Sequence, residues 1–321
     1  MTRQQFTLAL IALSFARLAA AQSRPPAPEA HPNFEGIWNS ATATPLERPA
    51  QFKDKPFFTP QEAADFERHS AARREDPKPE AAAAKSFASY NAFFYETGTK
   101  VLKTMLTSII TDPPDGKIPA LTPAAAAAKS RRLEILHRPH VSTDLGLQDQ
   151  CLVFPTSVAP MTPYIYNSNY RIVQTDHELM LSAEMNHDTR IIRLNQPHIS
   201  SSVRQWLGDS VGHWEGGTLV VDTTNFNDAD GFFGDAGGML GTDRNLHVVE
   251  RLSRPDADTI LYRFEVDDPT AFTKPWKGEL TWSRSNGPIY EYACHEGNYS
   301  LTDLLDGTRA LERAESSGAK K

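Results

Sequence analysis

The stretch TILYRFEVD, residues 259–267, decides the fold reading. Ile260, Tyr262, Phe264 and Val266 alternate with Leu261, Arg263, Glu265 and Asp267. That period of two belongs to a half-buried antiparallel strand, whose successive side chains point to opposite faces. Working outward, similar short runs fall at 170–174, 179–185, 189–194, 218–223, 246–252, 277–283 and 289–293. Turn residues separate them, as in Thr175-Asp176-His177-Glu178, Glu215-Gly216-Gly217 and Pro255-Asp256-Ala257-Asp258. Sequential hairpins at this cadence predict a mainly β protein, an antiparallel barrel or sandwich rather than a parallel α/β sheet.

The region 59–137 has a different character. Thr59-Pro60-Gln61-Glu62 reads as an N-cap with proline at the first helical position, launching a helix to about Arg74. Thr122-Pro123 opens a second helix, and between them a strand is expected from about Lys103 to Thr111, ending in the loop Asp112-Pro113-Pro114-Asp115-Gly116. These helices read as insertions near the N-terminus of one β-rich domain, 34–312, followed by a polar tail, 313–321.

Residues 1–21 place Arg3 before an apolar run and end in Ala19-Ala20-Ala21, the pattern of a secretory signal peptide, with a proline-rich leader over 22–33. No other window approaches a transmembrane length, so the expected setting is periplasmic or secreted. Cys151 and Cys294, the two cysteines of the chain, are then expected to form one disulfide. A charged fraction of 23% and a hydrophobic fraction of 40% exclude wholesale disorder. The net charge of −7, without a long basic block, argues against a nucleic-acid partner and leaves a small molecule as the expected one.

Three clusters could carry chemistry. In NHDTRIIRLN, residues 186–195, a regular strand would put His187 among Leu179, Leu181, Ala183, Met185, Thr189 and Ile191, with Asp188 and Arg190 paired on the opposite, polar face. His187 is then either a general acid or base in an apolar cavity or a core histidine satisfied by one hydrogen bond, and a bulge would reverse the faces beyond it. In YEYACHEGNY, residues 290–299, Glu291, His295 and Glu296 stand beside Cys294, where a disulfide would hold them rigidly; otherwise they simply face solvent. In the segment 204–227, Trp206, Trp214 and Phe226 are core or cavity-wall aromatics, joined by Tyr292 as candidate substrate contacts. Ser210 does not sit in a nucleophile elbow. His187, Asp188, His213, His247, His295 and Glu296 could ligate a metal, but no local metal-ligand spacing or phosphate-cradling motif is present, so neither metal nor cofactor is expected. The glycines of 231–241 read as a lid or a long hairpin connection.

Gly36-Ile37-Trp38 resembles the glycine-x-tryptophan opening of lipocalin-type barrels, which implies a lipocalin-like barrel. Over most of the mature chain, TSIITDPPDGKIPALTP, HDTRIIRL, QWLGDSVGHWEGGTLVVDTTNFND and YEYACHEGNY are similar to the recurring segments of a large group of exported bacterial proteins, with Lys117 in the basic place after DPPDG. That resemblance implies one fold and assigns no reaction. The expectation is an exported, cofactor-independent lyase, hydratase or hydrolase acting on a small, partly apolar or aromatic molecule. His187 would act as general base or acid, Asp188 and Arg190 would orient it or a substrate carboxyl or carbonyl, and His295 with Glu291 or Glu296 would supply the complementary proton. The alternative is a periplasmic lipocalin-like binding protein without catalysis.

Overall fold

Ten strands form one sheet, in the order β1-β3-β4-β5-β6-β7-β8-β9-β10-β2, and a further pairing of β1 with β10 closes nine of them into a barrel. The barrel strands are β1 (Gly36–Asn39), β3 (Asn169–Gln174), β4 (Glu178–Ala183), β5 (Thr189–Leu194), β6 (Asp209–Glu215), β7 (Thr218–Thr224), β8 (His247–Asp256), β9 (Thr259–Asp267) and β10 (Trp276–Ser285). β2 (Ile110–Asp112) lies outside the ring, paired with β10. This computed structural model describes residues 31–72, 98–164, 166–227 and 244–317. The signal-peptide reading of 1–21 and the lid reading of 231–241 therefore lie outside the described residues, as does most of the leader. Asn33–Lys321 forms one compact unit.

The alternation in β9 is as its sequence dictates: Ile260, Tyr262, Phe264 and Val266 are buried, while Arg263 is exposed. Inward side chains fill the barrel. Trp282 stacks on Tyr170 at 4.7 Å and on Tyr262 at 4.9 Å, and Trp38, at the ring closure, donates its indole N–H to Phe34 O at 2.8 Å. Gly278 faces Phe264 in register, and the missing Cβ makes room for that ring.

One seam departs from the antiparallel expectation. β5 and β6 pair in parallel. Direction must return to itself around a closed ring, so antiparallel pairings come in even number, and a nine-strand barrel needs a parallel pairing. Parallel neighbours cannot be joined by a tight hairpin. The chain accordingly runs through 195–208 before entering β6, and this crossing carries His198.

Three helices flank the barrel among the described residues: α1 (Pro60–Ala72), α2 (Pro123–His137) and α3 (Tyr299–Ser316). Thr59 and Glu62 form a reciprocal capping box, Glu62 N to Thr59 Oγ1 at 3.3 Å and Thr59 N to Glu62 Oε2 at 2.8 Å. Hydrogen bonds from Lys55 and Thr59 hold the Glu62 carboxyl down at about 2. Thr122 caps α2 by accepting from Ala125 N at 3.2 Å.

The expected strand over 103–111 shrinks to β2, because Met105 turns into the left-handed region at φ 61° and breaks the run. No strand forms over 289–293. The polar residues from 313 continue α3 to Ser316 rather than forming a tail from that point.

Candidate functional site

A hollow of about 660 Å³ opens beside the barrel, and none of its described lining residues lies on a strand. Leu136 at the end of α2, Leu145, and Leu301 and Leu304 of α3 supply its apolar walls. The walls are pinned from several sides. The Cys151–Cys294 disulfide, expected from the sequence, ties the 145–154 segment to the approach of α3. Arg132 donates to Leu145 O at 2.8 Å, Asn298 to Asp149 O at 3.4 Å, and Arg138 meets Glu315 at 2.6 Å between α2 and α3. The backbone N–H of Tyr290 donates to Glu184 Oε1 at 3.4 Å, which anchors the last segment to the end of β4.

Four lining rings form a continuous chain: Tyr292 to Phe154 at 5.5 Å, Phe154 to Tyr164 at 6.0 Å, and Tyr164 to Tyr166 at 5.9 Å. Burial pushes the Tyr164 phenol up to about 12 and raises that of Tyr292, so both hydroxyls stay protonated hydrogen-bond partners. Asp149 and Glu296 add carboxyls to the lining. Asp149 keeps part of its surface open to solvent, yet desolvation of its carboxyl raises its pKa against the hydrogen bond from Gly146 N at 3.1 Å. The volume suits a drug-sized or smaller molecule.

Of the residues expected from sequence to form a site, the structure brings Tyr292 and Glu296 into this hollow. Asp188 stands behind its wall: Oδ2 accepts the Phe154 N–H at 3.1 Å, and burial raises the carboxyl's pKa. His187 is exposed, not in an apolar cavity, because a 3-10 turn at Met185–His187 separates β4 from β5 and Asn186 and His187 take positive φ. That turn resets the alternation, so Arg190, Ile192 and Leu194 face inward while Thr189 and Ile191 face out. Arg190 pairs with Glu250 inside the barrel rather than with Asp188. His295 and Glu291 are exposed and do not line the hollow. Trp206 is exposed, Phe226 is in the barrel core, and Trp214 packs on that core, stacked on Phe34 at 5.8 Å.

A second constellation, missed by the sequence reading, links two histidines and two aspartates across the crossing, β6, β7 and β8. Asp209 Oδ2 contacts His198 Nδ1 at 2.8 Å, His198 Nε2 contacts Asp222 Oδ1 at 3.0 Å, and Asp222 Oδ2 contacts His247 Nε2 at 2.9 Å. Arg193 and the Ile199 N–H complete the shell of Asp209. The hydrogen bond from His247 holds Asp222 below its ordinary range, and the same bond raises His247. Of the four, only His247 was a candidate in sequence, as a possible metal ligand. Only the parallel seam brings His198 between Asp209 and Asp222.

Among the described residues no group of three or more His, Cys, Asp or Glu side chains is arranged to hold a metal ion. No described helix is long and apolar enough to cross a membrane. Comparison with protein-family models, with characterised proteins and with solved structures finds no match to this chain.

Proposed function

We propose that the chain binds a small, partly aromatic molecule in the hollow between α2, α3 and the disulfide. One observation carries this reading: four contiguous rings and two carboxyls share a pinned cavity of about 660 Å³ that the barrel itself does not need for its core. Apolar walls supply affinity through burial, and the tyrosine hydroxyls and carboxyls orient the ligand. The exported setting, periplasmic or secreted, belongs to the same proposal and is supported by the disulfide. So does membership of the exported bacterial group, which rests on the sequence segments.

A second reading, acid–base turnover of that molecule by a lyase, hydratase or hydrolase, is favoured by the raised carboxyl of Asp149. His187 and His295 are exposed and outside the lining, so they contribute less to this reading than Asp149 does.

The test is a panel of neutral aromatic fragments titrated into the protein, followed by tyrosine fluorescence, in the native chain and in Tyr164→Leu. Saturable binding weakened several-fold by the substitution supports the hollow; binding indifferent to Tyr164 removes it. If any fragment is turned over, Asp149→Asn separates the two readings. Catalysis requires the rate to collapse while affinity stays within a few fold.

A further inference from the structure

Resting on the hollow as the binding site, we infer that it selects an organic cation, an alkylated ammonium group carried on a small molecule. Three observations converge. Phe154, Tyr164, Tyr166 and Tyr292 form an unbroken run of rings 5.5–6.0 Å apart in the lining, so a guest lies beside several aromatic rings at once. The charged side chains among the described lining residues, Asp149 and Glu296, are both acidic. Among the described residues, no lysine, arginine or histidine lines the hollow to neutralise them. A quaternary or alkylated ammonium is large, weakly hydrated and attracted to the negative faces of aromatic rings, and it needs no directional acceptor. An ammonium bearing N–H would gain the carboxylates as well.

An anionic guest would meet like charge from Asp149 and Glu296. A neutral guest would gain no charge attraction from either carboxylate. A cation gains from both, and a positive charge beside Asp149 favours its ionised form. Binding of the cation should therefore release a proton at pH values where Asp149 is partly protonated.

The experiment uses the full chain with its disulfide intact and isothermal titration with three probes: choline, its neutral isostere 3,3-dimethylbutan-1-ol, and neutral benzamide. The expected result is choline binding at least tenfold tighter than the isostere, weakened severalfold by Tyr292→Leu and by Asp149→Asn, and weakened further by raised ionic strength. Tyr292→Phe, which keeps the ring, should retain most of the preference. Equal affinity for choline and its isostere, or a preference untouched by both Tyr292→Leu and Asp149→Asn, overturns the inference. If benzamide binds in a Tyr292-dependent way and choline does not, the hollow stands as a binding site and the cation selection falls. If none of the three binds, both fall.

Discussion

Arg190 on β5 and Glu250 on β8 meet inside the barrel, Nη2 to Oε2 at 2.5 Å and Nη1 to Oε1 at 2.9 Å, although two strands lie between theirs in the sheet. Ser210 on β6 and Thr223 on β7 bridge the gap by accepting from Arg190, and Tyr262 on β9 donates to Glu250 at 2.7 Å. Consecutive strands from β5 to β9 thus each contribute one polar group to a belt around the interior. Both charged side chains are almost wholly buried, so each depends on the other for compensation.

Glu250→Gln leaves Arg190 charged and poorly compensated, and it should lower unfolding free energy by roughly 3–5 kcal/mol in urea titration. Arg190→Met in the same background should recover much of that loss, because the orphaned charge is gone. Strict additivity of the two changes would contradict the belt as a coupled unit.

Gly278→Ala tests the packing of the ring wall. The added Cβ would lie 2.2 Å from Phe264 Cζ, and Phe264 is itself buried, so the ring has little room to give. A loss of about 1–3 kcal/mol is expected from overpacking. Combining it with Phe264→Leu should relieve part of the clash, visible as a less-than-additive shift in the denaturation midpoint.

Removing the disulfide acts on both stability and site. The cysteines are 143 residues apart, and constraint of the unfolded chain over such a loop is worth about 4–5 kcal/mol on the chain-entropy account. The double change Cys151→Ser with Cys294→Ser should lower the melting temperature and weaken ligand binding, since the bridge fixes one wall against the other. Unchanged affinity at a temperature where the variant is folded would show that the hollow does not need its clamp.

The Asp222–His247 contact makes stability depend on pH. His247 is raised above 6.5 in the folded chain, so its contribution is complete below that value and is lost as pH rises through the folded pKa. Asp222 is lowered below 3.8, so its contribution is present above that value and lost as pH falls through the folded pKa. Both side chains are well exposed, which keeps the effect small. Thermal denaturation across pH should show this contribution at full strength between the two ordinary values, and His247→Gln should flatten the alkaline fall. An unaltered profile in that variant would assign the pH dependence elsewhere.

The barrel was legible because a period of two survives in single strands such as β9, where buried Ile260, Tyr262, Phe264 and Val266 alternate with more exposed residues. The helix starts were legible because capping is local, as at Thr59 and Thr122. The parallel seam was not, since it follows from closing an odd-numbered ring, a property of the whole sheet. Misplacement of His187 has a narrower cause: two consecutive residues of positive φ shift the strand phase by an amount no alternation pattern records. Glu250 lay hidden within β8, where a charged inward residue looks like an outward one until Arg190 is seen opposite. Tyr292 and Cys294 pointed to the hollow, but Tyr164, Asp149 and α3 reach it only through tertiary contacts.

Backbone amide chemical-shift mapping during titration with a bound aromatic fragment or choline tests the central claim most directly. The account predicts that the perturbed amides cluster at 145–154, at Tyr164 and Tyr166, and at 292–304, with the barrel strands unmoved. Perturbations gathered instead around His198, Asp222 and His247, or inside the barrel at Arg190 and Glu250, would contradict it.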